Sequence, residues 1–213
     1  MEQKEYWNKV SKTKQFSTPF QIEEFSKYVE KSDIILDVGC GYGRTLSELY
    51  SNGYKNLIGI DFSKGMIERA NSLNSNIDFR VMNDSKIDLT DNSVDSVILL
   101  AVLTCVVQDK EQEKLISEIY RVLKKDGIVY INDFLLNSDE RNLKRYNEFK
   151  NKYNKYGVFE LPEGAICRHN TKEWIKNLLK DFKDIKFEEV KYTTMNGNKS
   201  NGFFYIGKKN KLE

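Results

Sequence analysis

Two carboxylates and a short run of glycines are the residues of this chain best suited to chemistry. Asp37 ends the apolar run Ile34-Ile35-Leu36, and Gly39, Gly41 and Gly43 follow at alternate positions. Glycine serves where a chain turns with positive φ or where a ligand must approach the backbone closely. Such a turn has almost no side-chain cover, and the N–H groups of a following helix face whatever lies above it. Glycine spacing alone also fits a bare strand-to-helix turn; a second acid favours a ligand. Asp61 closes another apolar run, Leu57-Ile58-Gly59-Ile60, where a βαβ unit sets a carboxylate against ribose hydroxyls. The pattern reads as a site for a ligand with an adenosine-type ribose. A pyrophosphate fits poorly: the spacing is G-x-G-x-G, with Arg44 where the dinucleotide fingerprint has its last glycine. Asp37 would repel a pyrophosphate and attract an ammonium group. Cys40, Cys105 and Cys167 lack paired spacing and His169 is the sole histidine, so neither a metal site nor a disulfide framework is expected.

The elements that must hold these groups alternate. Strands are expected at 34–38, 57–61, 77–81, 94–100 and 128–134. Helices should follow the glycine loop (44–51), Ser63 (apolar positions Met66, Ile67 and Ala70) and Asp109, which forms a capping box with Gln112. This alternation predicts a parallel sheet with helices on both faces. Upstream, Thr18-Pro19-Phe20-Gln21 reads as a capped helix start, with Ile22, Phe25, Tyr28 and Val29 on one face. Downstream, Ser138 can cap a helix carrying Tyr146, Phe149, Tyr153 and Tyr156 on one side, and 157–169 reads as an irregular connection. Asn170 or Thr171 starts a last helix, with Trp174, Ile175, Leu178 and Leu179 as its buried side. Strands at 186–192 and 203–206 flank a link with hairpin chemistry around Asn196-Gly197-Asn198, and 208–213 reads as a frayed tail.

Leu36–Gly43 resembles the first motif of class I S-adenosylmethionine-dependent methyltransferases. Gly59-Ile60-Asp61-Phe62-Ser63 through Met66 and Ala70 is similar to their second, and Asn83-Asp84-Ser85 with Asp95-Ser96-Val97 to their third and fourth. The resemblance covers 34 to about 134. It implies a doubly wound, mostly parallel seven-stranded Rossmann-like sheet, order 3-2-1-4-5-7-6 with strand 7 antiparallel. It implies S-adenosyl-L-methionine as cofactor and S-adenosyl-L-homocysteine as product. Asp37, Gly39, Cys40, Gly41 and Gly43 would hold the methionine end. Asp61 would take the ribose hydroxyls, Phe62 or Met66 the adenine face, and Asp84 the adenine amine with Ser85 alongside. Leu100, Ala101 and Leu103 would form the floor under the sulfonium. Tyr6, Trp7 and Phe16 either pack or form a lid over the cofactor. In the segment after strand five, some rings would pack and others, with Phe134 and Tyr146, line an acceptor pocket. Methyl transfer is an in-line displacement that needs a base only for a protonated nucleophile. His169 is the candidate base, or else structural; Asn132 and Asp133 are weaker candidates.

Composition bounds the partners. The 213 residues carry a net charge of +2 with acids and bases interspersed, so neither nucleic acid nor a membrane surface is indicated. The polar N-terminus shows no secretory signal, the longest apolar run (97–107) is too short to span a bilayer, and a cytoplasmic setting is expected. The tetrad that base and glutamine methylases carry after strand four is replaced by Leu100-Ala101-Val102-Leu103, which favours a small O, N or S nucleophile as acceptor. One domain over 1–213 is expected: lid or helix (1–30), cofactor-binding core (31–134), substrate-cap insertion (135–170), and final helix with antiparallel strands (171–209). A non-catalytic adenosylmethionine-binding protein and a nicotinamide-dependent oxidoreductase are the alternatives, the second opposed by the glycine spacing and Asp37.

Overall fold

The computed structural model describes residues 3–83, 86–194 and 197–210. Five parallel strands form the centre: β1 (Ile35–Val38), β2 (Leu57–Asp61), β3 (Asp78–Val81), β4 (Val94–Leu100) and β5 (Leu123–Phe134). A short hairpin, β6 (Val158–Glu160) with β7 (Ile166–Arg168), stands apart from the sheet. The chain returns through β8 (Phe182–Thr193) and β9 (Lys199–Lys209), giving the order β3-β2-β1-β4-β5-β9-β8. β9 runs antiparallel to both β5 and β8. With the small hairpin set aside, this is the expected order 3-2-1-4-5-7-6.

Both faces of the sheet are covered, which is why its central strands are apolar throughout rather than alternating. Leu36, Val97 and Val129 face α5 (Asp109–Val122) and α7 (Lys172–Leu178). Their neighbours Ile35, Ile98 and Tyr130 face α3 (Arg44–Ser51), α4 (Lys64–Leu73) and the short α2 (Ile22–Phe25). α1 (Gln3–Val10) lies across α4. Asn8 Oδ1 accepts from Ser63 Oγ at 2.8 Å and Gly65 N at 3.1 Å, while Arg69 donates to the carbonyls of Ser11 and Lys14. Among the described residues no helix is long and apolar enough to cross a membrane.

Several local expectations are corrected. Thr18 does not cap α2. The helix begins at Ile22, and Gln21, the intended box partner, takes the buried Tyr130 hydroxyl and Asn132 Nδ2 instead. Tyr28 is exposed. Gln112 forms no capping box with Asp109. Its amide is buried, donates to the Leu103 and Val106 carbonyls, and accepts from Trp174 Nε1. α6 (Glu140–Tyr153) is capped by Asp139 rather than Ser138. The stretch 157–169 is not irregular: it contains β6 and β7, paired from Val158↔Arg168 to Glu160↔Ile166. β8 and β9 are longer than expected, β9 continuing through Lys209. Asn196 of the connecting turn and Lys211–Glu213 of the tail lie outside the described residues.

Candidate functional site

The carboxyl ends of β1, β2 and β4 open into a cavity of about 590 Å³. β1 stops at Gly39, whose φ is +74°, and the N–H groups of Gly39 and Cys40 both bond the Ile60 carbonyl at 2.8 and 3.0 Å. This ties the loop to the end of β2. Asp61 completes the tie: its two oxygens accept from Gly41 N at 2.9 Å and Ser63 N at 2.8 Å. Those bonds fix the carboxylate plane and leave lone pairs for a ligand's hydroxyls. Burial lifts the Asp61 carboxyl to about 6 despite the N–H groups of Ser63 and Gly41, which favour its charged form. Asp37 is lifted further, to about 7, by burial and then by the nearby Asp61 charge, with Arg44 opposing. Asp37 Oδ1 is buried without a hydrogen-bond partner. A buried acid with an unsatisfied oxygen on a cavity wall is set up to receive a cationic donor. These acceptor oxygens fit the ammonium group and ribose hydroxyls of S-adenosylmethionine.

The roof is the N-terminal segment. Phe16 stacks on Tyr42 at 5.0 Å and 9°, and a Cβ at Gly41 (φ +55°) would fall 2.4 Å from its ring. Trp7 meets Phe16 edge-on at 6.0 Å, and Tyr6 meets Trp7 at 5.0 Å. Lys14 bridges the Tyr6 hydroxyl (3.0 Å) and Glu163 (3.2 Å), while the Gln3 amide reaches the Ile166 carbonyl. The roof is thereby fastened to the far rim, which the hairpin β6–β7 supplies.

At that far end His169 lines the cavity, stacked on Phe134 at 5.5 Å and met edge-on by Phe159 at 4.9 Å. Burial, then the charges of Arg145 and Arg141, holds its imidazole well below the usual histidine value, so the ring is neutral at pH 7. Its Nδ1 meets the Tyr146 hydroxyl at 2.6 Å and Asn137 Nδ2 at 3.2 Å.

The structure brings Asp37, Gly39, Cys40, Gly41, Asp61, Phe62, Met66 and Leu100 to one end of the cavity, and Tyr6, Trp7, Phe16, Phe134 and His169 around its roof and other end. Three expected residues fall elsewhere. Gly43 (φ +79°) is not on the cavity wall, and a Cβ there would meet the Phe79 ring at 2.5 Å. Leu103 is fully buried in the core, because a 3-10 turn over Leu103–Cys105 rotates it inward and leaves Val102 and Thr104 on the wall. Tyr146 is fully buried behind His169. Asn132 and Asp133 are also away from the wall. Asp133 accepts from Thr104 N (3.1 and 3.2 Å) and Phe134 N (2.8 Å), holding the turn, and Asn132 Nδ2 donates to the Pro19 carbonyl. Asp84 and Ser85 lie outside the described residues. Sequence reading missed Arg145 and Phe159 on the far wall, and the lining role of Arg44, which was noted only as a missing glycine. Arg145 gave no signal: it stands beside the aromatic stripe of α6, where a charge reads as solvated surface.

A family model described as a methyltransferase domain matches residues 36–131. Among solved structures, the chain is similar to a SAM-dependent methyltransferase from Methanosarcina mazei. The two are 30% identical with a TM-score of 0.83, over 90% of this chain and 98% of that one. Among curated proteins it is 32% identical over 111 residues to the eEF1A lysine and N-terminal methyltransferase of Xenopus laevis. That match covers 47% of this chain and 16% of the relative, so the chain spans far less than that protein's length. It is 26% identical over 176 residues to the demethylmenaquinone methyltransferase of Renibacterium salmoninarum, covering 76% of this chain and 70% of the relative.

Proposed function

Because this chain belongs to the class I S-adenosylmethionine-dependent methyltransferases, we propose that its acceptor is a small or medium organic molecule, methylated by in-line displacement beneath the N-terminal roof. Membership sets aside the oxidoreductase and binding-only alternatives. The observation that carries the proposal is the roof itself: Tyr6, Trp7 and Phe16 close over the loop, and Lys14 fastens them to Glu163. An acceptor must fit between the glycine loop and α6 rather than present a folded surface. The match to the quinone-pathway enzyme, which acts on a small molecule, runs over most of this chain. The match to the protein methylase is confined to about half of it.

When bound, S-adenosylmethionine supplies an electrophilic methyl carbon on a cationic sulfur. The chain's own residues bind, orient and exclude water. Asp37 receives the ammonium group on its unpartnered oxygen, and Asp61 receives the ribose hydroxyls with its plane held by Gly41 and Ser63. Met66 and Phe62 offer apolar surface to the adenine. Residues 135–170, as α6 and the small hairpin, act as the substrate cap and set the acceptor opposite the glycine loop. Displacement is faster when the reacting atoms are held in line and water is kept out.

The test supplies methyl-labelled S-adenosylmethionine to the protein with a cell extract divided into a low-molecular-mass filtrate and a macromolecular retentate. Label entering organic-soluble or filtrate products is expected. Label entering only the retentate would overturn the small-molecule reading in favour of a protein or nucleic-acid acceptor.

A further inference from the structure

The cavity's far end holds a cation that no acid among the described residues pairs with. Arg145, on α6, lines the cavity with its guanidinium 3.4 Å from the Phe159 ring centroid. Among the described residues it forms no ion pair, and its Nε is buried without a hydrogen-bond partner. The neighbouring charges are already engaged: Arg141 stands 3.7 Å from Asp139, and Lys14 pairs with Glu163. A guanidinium presents five donors and does not deprotonate, so a half-buried one facing an apolar cavity favours an anion arriving there.

The tautomer of His169 points the same way. Asn137 is fixed in orientation, because its Oδ1 accepts from Asn201 N at 2.7 Å and its Nδ2 donates to the Leu135 carbonyl at 2.9 Å. The second Nδ2 hydrogen lies between Ser200 Oγ at 3.1 Å and His169 Nδ1 at 3.2 Å. The Tyr146 oxygen accepts from Asn137 N at 3.3 Å, and among the described hydrogen bonds His169 Nδ1, at 2.6 Å, is the acceptor for its own proton. The Tyr146 hydroxyl makes Nδ1 an acceptor, and a neutral ring then carries its hydrogen on Nε2. Nε2 has no protein partner among the described hydrogen bonds and belongs to a ring on the cavity wall. His169 therefore shows the cavity an N–H donor rather than a base. Both groups pack on Phe159, the guanidinium at 3.4 Å and the imidazole at 4.9 Å, and both line the cavity, which places them on one wall.

We infer that this wall is an anion site, in which Arg145 and the His169 Nε2–H hold the carboxylate of an otherwise apolar acceptor. One guanidinium and one N–H donor among aromatic rings match the planarity and single charge of a carboxylate. The apolar remainder of the acceptor would lie against Phe134, Phe159 and Trp7. The inference rests on the small-molecule reading above, and deepens it by naming the group that is recognised.

The test is a calorimetric titration of 1-naphthoate, 4-phenylbutyrate and decanoate, each beside its neutral amide, with and without saturating S-adenosylhomocysteine. At least one acid is expected to bind ten or more times tighter than its amide, about 1.4 kcal/mol. Arg145→Met should reduce that ratio to about one while leaving the Kd for S-adenosylhomocysteine within about twofold, which also shows that the variant is folded. Arg145→Lys should retain part of the preference, since it keeps the charge and loses the fork. Arg141→Met, whose guanidinium is paired, should change it little. Absence of acid preference in every pair, or a preference that survives Arg145→Met, would overturn the anion site. Failure of S-adenosylhomocysteine to bind wild type would instead contradict the cofactor site; the acid–amide ratios measured without it would still decide this inference.

Discussion

Asp37 is 2% exposed, beside a second acid, with one oxygen unpartnered. Its folded value of about 7 stands above the ordinary carboxylate value near 4. Between those values the folded chain holds more protons than the unfolded one, so this group's contribution to stability falls as pH rises through the window. Asp37→Asn should therefore gain stability relative to wild type, about 2–3 kcal/mol, as pH rises from about 5 to about 8. Urea unfolding of the ligand-free pair across that range checks it; a constant difference would refute the assigned burial cost. Asp37 and Asp61 were legible in the sequence because an acid at a strand's end beside glycines is a local pattern. The role of His169 was not. Its tautomer depends on Tyr146 and Asn137, which reach it from a different part of the chain, and the same residue type in the same place reads equally as base or donor.

Element boundaries near the site are set by buried polar bonds. Gln112 belongs to α5, yet it holds the carbonyls of Leu103 and Val106 and receives Trp174 from α7. The turn that shapes the cavity floor thus hangs on a helix from below and on Asp133 from the side. Gln112→Ala orphans the Val106 carbonyl and the Trp174 indole N–H and leaves the Leu103 carbonyl only the Val106 N–H, and should cost about 2–3 kcal/mol in urea unfolding, against less than about 0.5 for the exposed Glu113→Ala. A cost for Gln112→Ala equal to that of Glu113→Ala would show that the network is not structural. The sequence placed this glutamine correctly on a helix but assigned it to a capping box, since the spacing of such a box is met whether the side chain turns back or inward. Apolar runs of strand length located β1, β2 and β4 well, because strands buried on both faces are apolar throughout. The hairpin β6–β7 escaped notice because each strand is only 3 residues long. Its burial is supplied by α6 and by His169 rather than by its own periodicity.

Across the whole molecule, sheet order and the crossing point at β1 and β4 direct the loops of both halves into one cavity, as open α/β sheets do. α1 and the segment after it then roof that cavity through polar bonds to α4 and the hairpin rim. The fold was largely legible, since βαβα alternation constrains connection and handedness strongly. The proposed acceptor wall was not, because its residues come from α1, β5, α6, β6 and the stretch after β7, and no single stretch carries the pattern. The most direct test of the central claim is calorimetric titration of S-adenosylhomocysteine into wild type and Asp61→Ala. The account predicts a Kd in the micromolar range for wild type and a rise of about 10–100-fold in the variant, the loss expected for hydrogen bonds to a charged group. No binding to wild type, or equal binding to both proteins, would contradict a cofactor site built on Asp61 and the glycine loop.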